Sequence, residues 1–279
     1  MTHASAEHPV DPRSIHAPAS NAAASVRPAE ARTVHTRLLR NMLAVEDSYA
    51  YWTRLDRSIP LIERPRVAFE QRWFGTKSEA RVKTLLSDMV ERFDAYPEAL
   101  ELLQALGTIP AKLRPLLCHL HTQLADPIYR RFSGELLPQR RERGLLAIDR
   151  TTVARWVESL EPGRWSAATS MKFASNLLAT ALEAGLIAGR RDPRKAVSPV
   201  VPDVVIGYAL YLLRGVAIEG SLTDNPYLRS LGVTSGGFRA VGGRIPGIQY
   251  AELGGAFELV FDAPGLVAWG GQAFAEEAS

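Results

Sequence analysis

The sequence predicts a mainly α-helical protein that contains two helix-turn-helix or winged-helix-like modules and ends in a small β-containing extension. Over most of residues 33–219, apolar side chains recur at spacings of three and four, the period of a helix with one buried face. Proline and glycine interrupt this pattern at short intervals, which predicts many helices of ordinary length. With 46% hydrophobic and 23% charged residues, the chain has enough apolar material for a sizeable core.

Residues 1–32 are predicted to form a disordered leader. They contain four prolines, an alanine run at 22–24 and almost no large apolar side chains. Such a segment buries too little surface to offset the chain entropy that folding would cost.

Residues 33–143 are predicted to form an N-terminal helical domain with a helix-turn-helix-like element. Apolar residues from Leu38 to Trp52 share one face of a helix that is expected to run to about Arg57. Thr76 stands where the N-cap of a later helix is expected, and Glu79, three residues on, completes a capping-box pattern. The apolar stripe behind this pair predicts the second helix of the element.

Residues 144–219 are predicted to form a second helix-turn-helix or winged-helix-like domain. Asp149 is a suitable N-cap for a helix over 151–160, and a turn with Gly163 separates it from a longer helix that is expected to stop near Gly185. A basic turn over 189–195 follows, and residues 197–201 are expected to form a short strand. Two helices, a basic turn and a strand are the order of a helix-turn-helix with a wing.

Residues 220–279 differ in composition: they are rich in glycine, with short β-prone stretches between the glycines. We expect a C-terminal extension with short strands at 248–250 and 257–261.

Positive charge is concentrated in the middle of the chain. Between positions 128 and 195 there are 13 Arg and Lys against 7 Asp and Glu, whereas positions 244–279 hold one Arg against five acids. A GC-rich genome could explain the excess of Arg over Lys, but it does not explain why the charge is localised. The distribution predicts a polyanionic partner for the middle of the chain.

The second domain holds most of the candidate DNA-binding residues. The second helix of such a module fits the major groove, and its N-terminal turn directs free N–H groups and a positive dipole end at phosphate. The residues expected to bind near this end or to clamp the DNA backbone from the turns are Arg164, Thr169, Ser170, Lys172, Asn176, Arg190, Arg191, Arg194 and Lys195. The alternative is that these cations only solvate exposed helix faces.

The N-terminal domain repeats this pattern at a second basic helix start. Arg72, Lys77, Arg81 and Lys83 cluster around it and would extend the DNA-binding surface. A well-capped helix without a binding role is the alternative interpretation.

No enzyme motif is recognisable in the sequence, and we expect neither catalysis nor a cofactor. It contains no phosphate-binding loop ending in Gly-Lys-Ser/Thr, no His-Glu-x-x-His and no Gly-x-Ser-x-Gly. Cys118, His119 and His121 would point in different directions from one helix, and no second ligand cluster follows at zinc-finger spacing. We therefore expect no metal.

The sequence also predicts a cytoplasmic protein without a membrane partner. Cys118 is the only cysteine, which excludes an intrachain disulfide and fits a reducing compartment. The longest apolar run, residues 204–213, is too short to span a bilayer, and the N-terminus lacks the apolar segment of a secretory signal.

Several motifs in residues 34–215 together resemble the BrxA family of bacteriophage exclusion (BREX) defence systems. They are the early helix over 38–57, Trp73-Phe74-Gly75-Thr76-Lys77-Ser78, Glu91-Arg92-Phe93, Phe132-Ser133-Gly134-Glu135-Leu136-Leu137, the stretch from Gly163-Arg164-Trp165-Ser166 to Thr169 and Lys172, and Leu182-Glu183-Ala184-Gly185-Leu186-Ile187. Each motif is degenerate, and the resemblance rests on their order and spacing. The leader and the glycine-rich tail depart from the compact family pattern.

The resemblance implies a non-catalytic helical protein that binds double-stranded DNA and acts in phage defence beside a methyltransferase, an ATPase and a phosphatase-like protein. It also keeps RNA as a possible partner, because the family has been compared in shape with an RNA-binding antitermination factor. Another alternative is a protein-interaction scaffold, in which the basic face binds an acidic protein of the same system.

Overall fold

The computed structural model describes residues 27–253 and 256–278, which are mainly helical. In the N-terminal half the helices are α1 (Val45–Arg54), α2 (Arg64–Glu70), α3 (Glu79–Met89), α4 (Pro97–Ala105), α5 (Arg114–Ala125), α6 (Pro127–Arg131) and α7 (Leu137–Glu142). The middle of the chain contains β1 (Ala147–Ile148), α8 (Arg150–Leu160), α9 (Ala167–Glu183), β2 (Ile187–Ala188), β3 (Arg194–Ala196) and α10 (Asp203–Arg214). The C-terminal part contains α11 (Pro226–Ser230), α12 (Phe238–Val241), β4 (Ile248–Leu253), β5 (Ala256–Phe261) and α13 (Leu266–Ala278).

Short 3-10 and π-helical segments join some of these elements. Three 3-10 segments, Arg37–Leu39, Ser235–Gly237 and Gly242–Arg244, stand alone or between helices. Two π-helical segments, Val90–Asp94 and Phe132–Leu136, continue α3 and join α6 to α7. At each π segment a side chain donates a hydrogen bond to a backbone carbonyl. His121 Nδ1 donates to the Arg92 carbonyl, and Ser133 Oγ donates to the Tyr129 carbonyl.

The middle of the chain has the topology of a winged helix. Strands β1, β3 and β2 form an antiparallel sheet with β3 in the centre, and Lys195 of β3 is paired with both Ala147 and Ala188. Helices α8 and α9 lie between β1 and β2 in the chain, and residues 189–193 form the wing between β2 and β3. The prediction of a strand at 197–201 is wrong. The wing strand is Arg194–Ala196, which begins within the stretch predicted as a turn.

The second basic helix start differs from the capping prediction. Helix α3 begins after Ser78, whose Oγ accepts from the Arg81 backbone N–H at 3.4 Å, so Ser78 is the N-cap in place of Thr76. Helices α2 and α3 pack against each other as a helical pair. In the described part of the chain, no strand pairs beside them, and this module therefore has no wing.

One hydrophobic core crosses the boundaries predicted at 143/144 and 219/220. It extends from Leu38 to Phe274 as a single cluster of buried side chains. Phe132, before the first boundary, contacts Trp156 of α8 with ring centroids 5.8 Å apart. Tyr211 of α10 stacks on Trp269 of α13 at 4.8 Å. The predicted domains are therefore parts of one packed body.

The last residues of the predicted leader are well anchored. Ala29 forms a parallel bridge with Ala217, and the carboxylate of Glu30 accepts hydrogen bonds from the Tyr227 hydroxyl at 2.6 Å and from the Glu219 backbone N–H at 2.9 Å. Arg130 Nε lies 3.5 Å from the same carboxylate. Residues 1–26 lie outside the described residues.

The C-terminal extension contains the predicted strands and three helices that were not predicted, α11, α12 and α13. Strands β4 and β5 form an antiparallel hairpin that pairs Ile248 with Phe261. Helix α13 then packs on α4 and α10, and the Leu266 N–H donates to Glu98 at 2.7 Å. Within the two described ranges, every helix is too short or too polar to cross a membrane.

Candidate nucleic-acid interface

A carboxylate in α8 holds the turn between α8 and α9. Glu158 accepts from the Gly163 N–H at 2.8 Å and from Ser170 Oγ at 3.4 Å. Gly163 has φ of +75°, a value that glycine adopts without a steric penalty. Ser166 then caps α9, since its Oγ accepts from the Thr169 N–H at 3.3 Å. The angle between the two helices is thus set by local hydrogen bonds as well as by packing.

Helix α9 has one buried face and one outward face. The buried face packs into the core through Phe173, Ala174, Leu177, Leu178 and Ala181. Met171 and Lys172 are exposed on the outward side. The 3.6-residue period of α9 therefore leaves a long surface on which a polyanion could lie.

The wing carries exposed cations on a rigid base. Arg190 and Arg191 are exposed in the turn after Gly189, and Lys195 is exposed on β3. The Asp192 carboxylate accepts from Arg150 Nε at 3.0 Å and from Arg194 Nε at 3.3 Å, and so ties the wing to the start of α8. Partial desolvation acts to raise the pKa of Asp192, but the hydrogen bonds from Arg150 outweigh it, so the pKa is lowered.

Besides Arg194, four predicted DNA-binding residues in this domain have internal partners. Asn176 Nδ2 donates to the Leu38 carbonyl at 2.8 Å, and Ser170 is buried against Glu158. Thr169 Oγ1 lies 3.0 Å from the Ser166 hydroxyl. Arg164 pairs with Glu161 and donates to the Val34 carbonyl. Polar groups of these side chains are thus engaged in contacts that hold the module together.

Residues 34–45, which we call the flanking segment, run along one side of α9. Its Val34 and Leu38 carbonyls bind Arg164 and Asn176, and its Val45 N–H donates to Glu183 near the end of α9 at 3.4 Å. Arg81 Nη1 donates to the Arg40 carbonyl at 2.9 Å. Leu38 and Arg40 are two residues apart, so the start of α3 and the middle of α9 bind backbone carbonyls that are within about 7 Å of each other along the flanking segment.

The remaining candidates in the N-terminal domain are only partly available. Lys77 is paired with Asp47 at 2.8 Å and Lys83 with Glu79 at 2.7 Å. Arg72 is exposed with φ of +52°, and within the described ranges its guanidinium has neither an ion pair nor a hydrogen bond. Arg194 of the wing is likewise paired, with Asp192.

The structure thus separates free cations from structural ones. Within the described ranges, Lys172, Arg190, Arg191 and Lys195 have neither an ion pair nor a side-chain hydrogen bond, and all four are exposed. The sequence interpretation missed Arg40 and Arg155, which are also exposed without such a partner. Arg155 could have been found from its position opposite the apolar face of α8.

The paired histidines of α5 are core residues. His119 lies 2.8 Å from both the Tyr129 and Ser230 hydroxyls, and His121 lies 2.7 Å from the Arg92 carbonyl and the Tyr208 hydroxyl. Burial lowers the pKa of His119 to about 3 and that of His121 to about 4. No three His, Cys, Asp or Glu side chains of the described residues are grouped so as to hold a metal ion.

The chain matches no protein-family model and no curated protein. The site must therefore be interpreted from its own geometry.

Proposed function

We propose that this protein binds double-stranded DNA, with α9 facing the major groove and the wing on the neighbouring phosphates. The observation that carries the proposal is the set of four exposed cations, Lys172, Arg190, Arg191 and Lys195, which have no partner in the described residues. All four lie on the second helix, the wing or the wing strand of a winged-helix topology. Their positive charges are therefore not explained by a role in ion pairs within the described residues.

The physical basis of binding is the release of counterions from DNA. Each phosphate that a cation neutralises contributes about −0.9 to the slope of log K against log salt concentration for B-form DNA. The major groove, about 12 Å wide, admits a helix such as α9. A solvated, unpaired Arg or Lys gives up little on binding because it breaks no internal ion pair.

We further propose that DNA binding is a non-catalytic accessory activity in a BREX-type defence system. The support for this role is the resemblance of residues 34–215 to the BrxA family, together with the helical architecture and a winged-helix region within that range. The same reasoning supports a cytoplasmic protein that works beside other proteins of that system.

The test is a titration of a 30-base-pair duplex by fluorescence anisotropy at several salt concentrations. For Arg190→Ser/Arg191→Ser we expect weaker binding to all duplex sequences and a salt slope reduced by about 1 for each phosphate that is no longer neutralised. The matched control is Arg57→Gln/Lys112→Gln, which removes two exposed cations that are already paired with Glu101 and Glu277. It should bind like the wild type.

Three outcomes would contradict the proposal. The first is undetectable duplex binding at low salt, and the second is an affinity that does not change with salt. The third is an equal decrease of affinity in the wing variant and in the control variant. Competition with a structured RNA separates the nucleic-acid classes, because an RNA that displaces duplex DNA at much lower concentration would favour RNA as the partner.

A further inference from the structure

The centre of the outward face of α9 is defined by the burial of the other side chains of the helix. At about 100° per residue, Ala168, Lys172, Ser175 and Ala179 point within about 30° of the direction opposite to the mean of the buried side chains. Ala168 and Lys172 are exposed, whereas Ser175 and Ala179 are half-buried. The N-terminal half of α9 therefore protrudes furthest, and Lys172 lies at the centre of this protruding part.

Lys172 is the only long side chain among these four central residues. The other three are two alanines and a serine, and Ser175 Oγ donates to a carbonyl of its own helix at 3.0 Å. Small side chains allow the backbone of α9 to come close to a bound surface. Within the described ranges, the Lys172 ammonium has neither an ion pair nor a hydrogen bond. It therefore extends beyond its neighbours and is free to donate to a ligand on this face.

The central position of Lys172 favours a contact with bases over a contact with phosphates. The major groove of B-form DNA is about 12 Å wide and about 8.5 Å deep, with base edges on its floor and phosphates along its rims. The centre of an inserted helix face points to the floor, and helix-turn-helix proteins contact bases from the N-terminal part of the second helix. Lys172 is in the second turn of α9. Cations beside the helix, such as those of the wing, are placed to reach phosphates.

The chemistry of an ammonium group selects one base on the groove floor. Lysine has three N–H donors and no acceptor. Guanine presents two neighbouring acceptors, O6 and N7, whereas adenine places an amino donor beside N7 and cytosine offers only a donor. Thymine has one acceptor, O4, next to a methyl group. A free ammonium at this position therefore fits guanine better than it fits the other three bases.

We infer that Lys172 is a specificity-determining residue that donates to O6 and N7 of guanine in the major groove. This inference rests on the proposed binding of duplex DNA and adds a base preference to it. The wing cations supply affinity for any sequence through phosphates, and Lys172 adds discrimination in favour of G·C pairs.

The test compares two 20-base-pair duplexes of the same G·C-rich sequence by fluorescence anisotropy. One contains guanine and the other contains 7-deazaguanine at every guanine position, which removes the N7 acceptor and keeps the phosphates and the base pairing. We expect the wild-type protein to bind the 7-deazaguanine duplex about fivefold more weakly. In Lys172→Met, which removes the donors, the ratio of the two dissociation constants should fall to about one. Lys172→Arg, which can donate to both acceptors, should keep a ratio well above one.

The matched control is Lys195→Met, which removes an exposed, unpaired cation from β3 in place of α9. It should weaken binding to both duplexes equally and keep the wild-type ratio. Equal binding of the two duplexes by the wild type, with the salt dependence retained, would overturn the inference and leave DNA binding intact. A wild-type ratio in Lys172→Met would also overturn it, because another side chain would then recognise guanine. Failure of the wild type to bind either duplex would overturn both proposals.

Discussion

Asp149 marks the point where β1 ends and α8 begins, and a single short hydrogen bond defines that point. Its Oδ1 accepts from the Thr152 N–H at 2.7 Å, which satisfies one of the free donors in the first turn. The same bond lowers the pKa of the Asp149 carboxyl. The Arg150 N–H of the same turn donates to the Asp192 carboxylate at 3.2 Å, so a second side chain also supports the start of α8.

At this scale we predict that Asp149→Ala lowers the free energy of unfolding by about 1 kcal/mol, the typical value of an N-cap. Urea denaturation measures the change. Thr76→Ala is the matched control, because Ser78 caps α3 and Thr76 is exposed. Equal decreases in the two variants would mean that Thr76 also caps a helix.

At the scale of the element, α5 is distinctive because it buries two neutral histidines. Both have pKa values well below the 6.5 of an unfolded chain, to about 3 for His119 and about 4 for His121. Below about pH 6.5 the unfolded chain therefore binds protons that the folded protein does not. The two histidines stabilise the fold fully above this pH, and their contribution falls as the pH is lowered toward the folded-state values.

We predict that replacing one histidine, as in His119→Gln, reduces the slope of unfolding free energy against pH between 6 and 4.5. Each buried histidine contributes up to about 1.4 kcal/mol per pH unit. Burial raises the pKa of Asp88 and Asp126, an effect of opposite sign, but it is common to the wild type and the variant. Urea titrations at several pH values give both slopes, and identical slopes would show that His119 is not neutral in the folded protein.

At the scale of the whole molecule, the buried carboxylate of Glu30 ties the start of the described chain to parts near its end. It binds Tyr227 and Glu219 and lies beside Arg130, whose Nη atoms donate to the Gln123 and Ala31 carbonyls at 2.8 Å. Removing one partner of a buried ion pair leaves the other charge without compensation.

Glu30→Ala should therefore destabilise the protein by about 3–5 kcal/mol. The control is Glu63→Ala, which breaks an exposed pair with Arg66 at 3.8 Å and should cost less than about 1 kcal/mol. Thermal denaturation of both variants provides the measurement. A Glu30 variant as stable as the control would mean that the buried carboxylate adds no net stability to the fold.

Periodicity and caps were sufficient to predict α8 and α9, because their apolar stripes, Asp149 and Gly163 are all local signals. The position of β3 could not be predicted in this way, since Arg194 and Lys195 form a strand only by pairing with β1 and β2. Helix α13 was missed for a different reason. Glycine disfavours a helix interior, but a Cβ at Gly270 of α13 would lie 2.3 Å from a methyl group of Leu102, so the glycine permits close packing there.

The candidate site was predicted in outline and corrected in detail. Charge and element order indicated a basic winged helix, and Lys172, Arg190, Arg191 and Lys195 are exposed there as expected. The sequence could not show that Asn176 is bound to the Leu38 carbonyl, 138 residues earlier in the chain. A polar side chain on a predicted recognition helix can bind DNA only if it is not already hydrogen-bonded to the backbone of a residue far away in the sequence.

The flanking segment has a mechanical consequence. A winged helix joined by a flexible linker can reorient when few contacts cross its boundary. Here Asn176 holds the Leu38 carbonyl and Arg81 holds the Arg40 carbonyl, so α9 and α3 are fastened to the same three residues. The winged helix is therefore held against the rest of the protein, and in the proposed complex the whole helical body would fix the orientation of a duplex bound to α9.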